Sequence, residues 1–188
     1  MRIVAGKHRG RLLQPPAGRD IRPTSDRARE GLFNMLEHGG FGAGGASIVE
    51  GATVLDAFCG TGALAFEALS RGAAAATLID LNTAALEAVR DTARTLGESD
   101  RVAVAAKDAT APGPAPRAHS LVFLDPPYDS GAAVPALVAL VSHGWLAPGA
   151  IVAIECTAKG PLPELPEGFT ALRERRYGAA RMLIARAP

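Results

Sequence analysis

Val54-Leu55-Asp56-Ala57-Phe58-Cys59-Gly60-Thr61-Gly62 is the stretch that decides the fold. A short apolar run ends in an acid, a glycine-rich turn follows, and Ala63-Leu64-Ala65-Phe66-Glu67-Ala68-Leu69 then reads as a helix. Strand, tight loop and helix in that order open a crevice at the carboxyl end of a strand, where doubly wound α/β sheets bind ligands. Gly60 and Gly62 admit backbone where a Cβ would clash, at positive φ or against a ligand.

The loop alone leaves two readings. Gly60-Thr61-Gly62-Ala63-Leu64-Ala65 fits the permissive dinucleotide fingerprint, with Asp80 at the spacing of a ribose-binding acid. Against a dinucleotide stands Asp56, whose charge repels a pyrophosphate and suits a cationic or amine-bearing ligand. Leu124-Asp125-Pro126-Pro127-Tyr128 is a second objection, because a dehydrogenase has no need of it. The loop followed by Asp-Pro-Pro-Tyr resembles the S-adenosylmethionine-dependent methyltransferases that modify exocyclic base amines.

Working outward, the spacing predicts strands over 53–57, 75–80, 101–106, 120–124 and 150–155, with helices over 62–71, 83–96 and 131–143. Asn82 or Thr83 caps the second of these helices, and Gly97 stops it. Pro135 falls in the first turns of the third, where proline is tolerated. Residues 157–168 carry no helical period, and 169–177 and 180–186 are β-prone runs around Gly178. Upstream, Gly6 and Gly10 bracket a small hairpin tipped by Lys7, His8, Arg9 and Arg11, and Pro15-Pro16-Ala17-Gly18 is a linker. A helix capped by Ser25 or Thr24 follows, with an apolar stripe of Leu32, Phe33 and Leu36. The expected fold is α/β: a Rossmann-like class I methyltransferase with a mostly parallel seven-stranded sheet, a C-terminal antiparallel hairpin and a small N-terminal β-hairpin extension. Residues 1–45 are expected to form a basic hairpin-plus-helix extension and 46–188 the methyltransferase domain.

The chain has 188 residues and a net charge of only +1. Residues 1–30 nevertheless hold eight basic and three acidic side chains, a net +5, which leaves −4 for the rest. A basic arm on a mildly acidic domain is a nucleic-acid footprint or a solvated surface. No apolar run is long enough to span a membrane, and no apolar signal-peptide core follows the early basic residues. Cys59 and Cys156 make no disulfide framework, so a reducing cytoplasm is the simplest compartment. His8, His38, His119 and His143 have no metal-ligand spacing, so no metal is expected.

For an S-adenosylmethionine ligand, Asp56 bonds the ammonium group while Gly60 and Gly62 let backbone approach, with Phe58 in the same loop. Asp80 takes both ribose hydroxyls, or caps the following helix instead. Asp108 accepts from the adenine amine or is an ordinary turn acid; Leu81 and Ala109 are plausible adenine neighbours. Asp125, Pro126, Pro127 and Tyr128 form the catalytic candidate. A base amine is a poor nucleophile because its lone pair is delocalised into the ring. The Asp125 carboxylate and the Pro126 carbonyl can hold its hydrogens, two prolines stiffen the loop, and Tyr128 offers a face on which a flipped base stacks. Both cysteines read as small structural residues, and Trp145 as packing.

The likeness then extends over nearly the whole chain. Arg2-Ile-Val-Ala-Gly6, Arg9-Gly10-Arg11, Arg22-Pro23-Thr24-Ser25-Asp26-Arg27-Ala28-Arg29-Glu30 and Leu32-Phe33-Asn34-Met35-Leu36 resemble the bacterial 16S rRNA guanine-N2 methyltransferase family. Glu67-Ala68-Leu69-Ser70-Arg71-Gly72, Asp125-Pro126-Pro127-Tyr128 and Gly144-Trp145-Leu146 do so too. The resemblance implies methyl transfer from S-adenosylmethionine to the N2 amine of one guanine in 16S rRNA of the small subunit, in an assembled or assembling particle, by a cytoplasmic monomer. It implies that Arg2, Lys7, Arg9, Arg11, Arg22, Arg27 and Arg29 face RNA or border the active site. The competing readings are an adenine-N6 or protein-glutamine methyltransferase, a non-catalytic RNA-binding assembly factor and a nicotinamide dehydrogenase.

Overall fold

The structure is a computed structural model and describes residues 1–13, 25–127, 131–159 and 161–188. The expected linker at 15–18 and the alternative cap Thr24 lie outside the described residues, as do Arg22 and Tyr128. Seven strands form one sheet: β1 (Thr53–Ala57), β2 (Ala75–Asp80), β3 (Val102–Ala106), β4 (His119–Leu124), β5 (Leu146–Thr157), β6 (Thr170–Tyr177) and β7 (Ala180–Arg186). Their order is β3-β2-β1-β4-β5-β7-β6. β1 to β5 pair in parallel, and β7 runs antiparallel between β5 and β6. This is the mostly parallel sheet with a terminal hairpin that the periodicity predicts. β5 starts four residues earlier than expected. A register irregularity between His119 and Leu121 lets Leu146 pair ahead of Pro148-Gly149, which interrupt the apolar run.

The helices are α1 (Asp26–His38), α2 (Ala63–Ser70), α3 (Thr83–Leu96) and α4 (Ala133–Ser142). The Ser25 hydroxyl accepts the Ala28 amide proton and caps α1, and Asn82 does the same for Ala85 at the start of α3. The strands alternate with period two. Val54, Leu78, Phe123, Ile151, Met182 and Ile184 point into a core beneath α1, α2 and α3. Leu55, Ile79, Val122, Ile154 and Leu183 point into a second core beneath α4 and Trp145.

Residues 1–45 share the first of these cores. Ile3, Leu13, Leu32, Phe33 and Leu36 are buried in the same cluster as Phe66 and Phe123. The hairpin, closed by an antiparallel bridge between Arg2 and Leu12, is strapped to α2 by polar contacts. Every residue of α2 is buried. Its one charge, Glu67, accepts the backbone N–H of Val4 at 2.8 Å and of Ala5 at 3.0 Å, and also holds Arg29 Nε at 3.4 Å and Arg71 Nε at 2.8 Å. Ser70 takes the Lys7 N–H on its carbonyl and the His8 N–H on its hydroxyl. At Gly6, φ is +76° and a Cβ would lie 1.9 Å from the Ser70 carbonyl oxygen, so the close approach requires glycine. His8 and Arg101 both bind Glu98, which is 1% exposed.

The strap corrects one expectation. Arg29 is fully buried between Glu67 and Asp26 and presents no surface to an RNA. An unpaired charge there would be costly, and Glu67 is the reason an arginine belongs at that position. Lys7 is 66% exposed although it pairs with Glu98. Arg2, Arg9, Arg11 and Arg27 are exposed.

Candidate active site

The carboxyl ends of β1, β2 and β4 each deliver an acid to one end of the sheet. Asp56 is next to last in β1, Asp80 ends β2, and Asp125 follows β4 directly. The strand order reverses direction around β1, with β2 on one side and β4 on the other, so the three acids stand at the topological switch point.

Asp56 is 2% exposed, and its Oδ2 accepts the Ala65 N–H of α2 at 3.0 Å. Burial pushes its carboxyl well above the usual range. The Ala65 bond opposes that rise, and the Asp125 and Asp80 charges reinforce it. The site therefore gains from a cation, and its charge is set against an anion.

The two glycines of the loop serve different ends. Gly62 (φ +71°) begins α2, and a Cβ there would lie 2.7 Å from Leu78 Cδ2, so it lets the helix pack on β2. At Gly60 (φ +51°) a Cβ would meet nothing within 4 Å, which leaves the positive φ and an open approach to the backbone as its role. Phe58, with φ +62°, is the one non-glycine among the described residues at positive φ. Strain of this kind gathers at sites whose surroundings enforce it.

Asp80 does not cap α3; Asn82 does. One Asp80 oxygen accepts the Gly60 N–H at 2.9 Å and the other the Asn82 N–H at 2.8 Å. Each oxygen retains a lone pair for a diol. Leu81 beside it is 68% exposed, an apolar side chain held open at the crevice rim. Asp108 closes a turn on Thr110, whose hydroxyl and N–H both donate to one carboxylate oxygen. The hydroxyl first, then the N–H, hold that carboxyl below its ordinary value. Ala109 is buried among Leu55, Ala57 and Ile79.

Asp125 is half-buried, Pro126 buried and Pro127 exposed. Cys59 is buried, and burial followed by the Asp56 and Asp80 charges raises its thiol well above the ordinary value. Burial pushes Cys156 up to about 11. Neither has the thiolate character of a nucleophile. Trp145 is fully buried, stacks on His119 at 5.8 Å and donates to the Gly113 carbonyl, which is the packing role expected of it. Among the described residues, no group of three or more His, Cys, Asp or Glu side chains is placed to hold a metal. No helix among them is long and apolar enough to cross a membrane.

Glu67, Ser70 and Glu98, which anchor the hairpin, are not among the residues expected from the sequence to be functional. Glu67 carried a signal, being a lone carboxylate in an otherwise apolar helix. The edge strand β6 carries Arg173, Arg175 and Arg176 in a run of basic residues that ends at Tyr177.

The family model described as conserved hypothetical protein 95 matches residues 1–186. Ribosomal RNA small subunit methyltransferase D of Escherichia coli K12 is 35% identical over 178 residues, covering 95% of this chain and 85% of that protein. The protein of the same name from Haemophilus influenzae is 34% identical over 182 residues, covering 95% and 89%. Among solved structures, the Escherichia coli methyltransferase yhhF superposes with a TM-score of 0.82 at 34% identity, covering 100% of this chain and 97% of that one. An RNA methyltransferase of Salinibacter ruber, solved with S-adenosyl-L-homocysteine, shares the fold alone, with a TM-score of 0.62 at 14% identity over 88% and 94% of the two chains. With the hairpin, the sheet order and the acidic crevice in place, this chain belongs to the conserved hypothetical protein 95 family, that of the ribosomal RNA small subunit methyltransferase D proteins.

Proposed function

We propose that this chain methylates ribosomal RNA of the small subunit with S-adenosylmethionine, and that the acceptor is the exocyclic N2 amine of one guanine in 16S rRNA. One observation carries the reading: Asp125-Pro126-Pro127 follows β4 at the same end of the sheet as the buried Asp56 and the ribose-ready Asp80. The relatives' names, small-subunit rRNA methyltransferase D, support the substrate class.

The donor set fits the cofactor. Three converging acids favour a ligand with an ammonium and a sulfonium and disfavour a pyrophosphate, which argues against a nicotinamide dinucleotide. S-adenosylmethionine supplies an electrophilic methyl group. Asp56 bonds the ammonium, and the open backbone around Gly60 lies under the amino-acid part. Asp80 takes the ribose hydroxyls while its Gly60 and Asn82 bonds fix its carboxylate plane. Leu81 covers one face of the adenine. Asp108 has one oxygen engaged by Thr110, and the other is left for the adenine amine.

The catalytic tetrapeptide runs from Asp125 to Tyr128. The Asp125 carboxylate and the Pro126 carbonyl accept the two hydrogens of the guanine amine and turn its lone pair toward the crevice. The prolines hold those acceptors still, and Tyr128 stacks the flipped base. Positioning supplies most of the rate. The proton leaves only after the nitrogen has become cationic, so Asp125 need not be a strong base. Arg2, Lys7, Arg9, Arg11, Arg22 and Arg27 serve phosphate contacts. The protein works in the cytoplasm, as a monomer, on the small subunit or an assembling particle.

The test is product analysis. Unmethylated small subunits and naked rRNA are incubated separately with the protein and S-adenosylmethionine, then digested and read by mass spectrometry. N2-methylguanosine is the expected product. N6-methyladenosine, or methyl-glutamine in a protein, would overturn the acceptor assignment. Absence of both product and cofactor binding would favour a non-catalytic assembly factor.

A further inference from the structure

The sheet ends in β6, an edge strand reading Thr-Ala-Leu-Arg-Glu-Arg-Arg-Tyr. Between it and α1 runs a groove of about 350 Å³. Asn34 and His38 line it from the helix, and Arg173, Arg175 and Tyr177 from the strand; no carboxylate is among its lining residues. Of the acids near in sequence, Glu37 holds Arg71 and Glu174 holds Arg181, while the exposed Glu30 precedes Gly31 and is not among the lining residues. Arg173 lies over the Phe41 ring at 5.1 Å, which fixes its direction. Tyr177 rests on Gly31, where a Cβ would come within 2.3 Å of its ring.

The sheet register connects this groove to the crevice. Leu124 of β4 pairs with Ile154, Ile154 with Leu183, and Leu183 with Glu174. Asp125 follows Leu124, and Arg175 follows Glu174 on a strand running the same way. Arg175 is thus level with Asp125, three strand spacings away, which is about 14 Å. It opposes Met182 and so projects on the sheet face that Phe123 also occupies, the face covered by α1. The groove runs along the sheet edge on that face, with β5 and β7 between it and the crevice.

We infer that this groove is a second RNA-docking surface, in which Arg173 and Arg175 receive phosphates of the strand that flanks the target nucleotide by a few residues. Arginine suits this because its planar fork matches a phosphate and its charge does not titrate. The inference rests on the proposed RNA methylation. The competing explanation is that the arginines only guard an exposed sheet edge against pairing with another chain.

The test is an Arg173→Ala, Arg175→Ala double variant beside the Arg173→Lys, Arg175→Lys pair and the wild type. KM for rRNA substrate is expected to rise at least about tenfold in the alanine pair, from two lost charge-assisted contacts, with kcat and S-adenosylhomocysteine affinity unchanged. The salt slope of rRNA binding should shrink by roughly 1.5 to 2. The lysine pair should recover most of both. An unchanged KM and slope would overturn the inference, as would an alanine pair that self-associates but binds RNA normally as monomer. If the wild type yields no methylated RNA, the functional reading fails by itself, while the binding slopes of the three proteins still decide the groove.

Discussion

The Asp80 carboxylate accepts the Gly60 amide proton at 2.9 Å, tying the end of β2 to the loop that leaves β1. One side chain thus sets the position of the loop, and in the proposed site the same carboxylate accepts from the ribose. Asp80→Ala should weaken S-adenosylmethionine and S-adenosylhomocysteine binding by roughly 10- to 100-fold, the loss of one or two charged hydrogen bonds. Calorimetric titration reads this directly. An unchanged affinity would remove Asp80 from the ribose site.

Asp125→Ala should separate binding from turnover. Asp125 borders the crevice from β4, on the other side of β1 from Asp80, so its loss should leave the proposed ribose and ammonium contacts in place. The expected effect is a fall in kcat on the order of 10²- to 10³-fold, similar to removing one preorganised polar contact at a reacting centre. Cofactor affinity should hold within a factor of a few. Equal loss of both would assign Asp125 to the cofactor pocket.

Most of the sheet was legible because its signals are local. Short, mostly apolar β-prone runs ending in Asp56, Asp80 and Asp125 mark the carboxyl ends of three strands, and Asn82 and Gly97 mark the limits of α3. What could not be read were contacts between residues far apart in the chain. Nothing near Arg29 says that Glu67, 38 residues later, will bury it. The basic count in residues 1–30 therefore overstated the charge available to RNA. Nothing local marks Arg175 either, since only the β5-β7-β6 pairing sets it level with Asp125.

Asp56 carries a pH dependence of definite sign. Burial holds its carboxyl well above the ordinary value of about 3.9. Between that value and the higher folded one, the folded chain keeps a proton that the unfolded chain has released, so stability falls as pH rises through the window. Asp56→Asn keeps an acceptor for Ala65 and removes the titration. In the absence of cofactor it should be more stable than wild type at neutral pH, with the gap closing in acid, and it should bind cofactor more weakly. Denaturant unfolding of both proteins from pH 4 to 7 measures the gap; parallel curves would show that Asp56 does not titrate in that range.

Arg9 and Arg11 test the arm. Both are exposed on the hairpin, while Arg29 is committed to the interior. Arg9→Gln with Arg11→Gln should lower the salt slope of rRNA binding by roughly 1.5 to 2 and leave thermal stability unchanged. A preserved slope would make the arm a solvated surface.

Glu67 is the residue on which the N-terminal segment depends. It is fully buried and receives two backbone amides and two arginines, so its removal leaves two guanidinium groups and two N–H donors short of a partner. Glu67→Ala should cost about 3 to 5 kcal/mol, the penalty of breaking a buried charge pair from one side. For a chain of this size that lowers Tm by roughly 10 °C. Glu37 offers the control: it holds Arg71 from a half-buried position, and Glu37→Gln should cost less than about 1 kcal/mol. Amide exchange adds a local readout, because Glu67→Ala removes the acceptor of both Val4 and Ala5, which should exchange much faster, while Glu67→Gln, whose amide accepts on one oxygen only, should release at least one of the two. Protection of those two amides equal to wild type would mean that the strap is held by Ser70 and Glu98 alone.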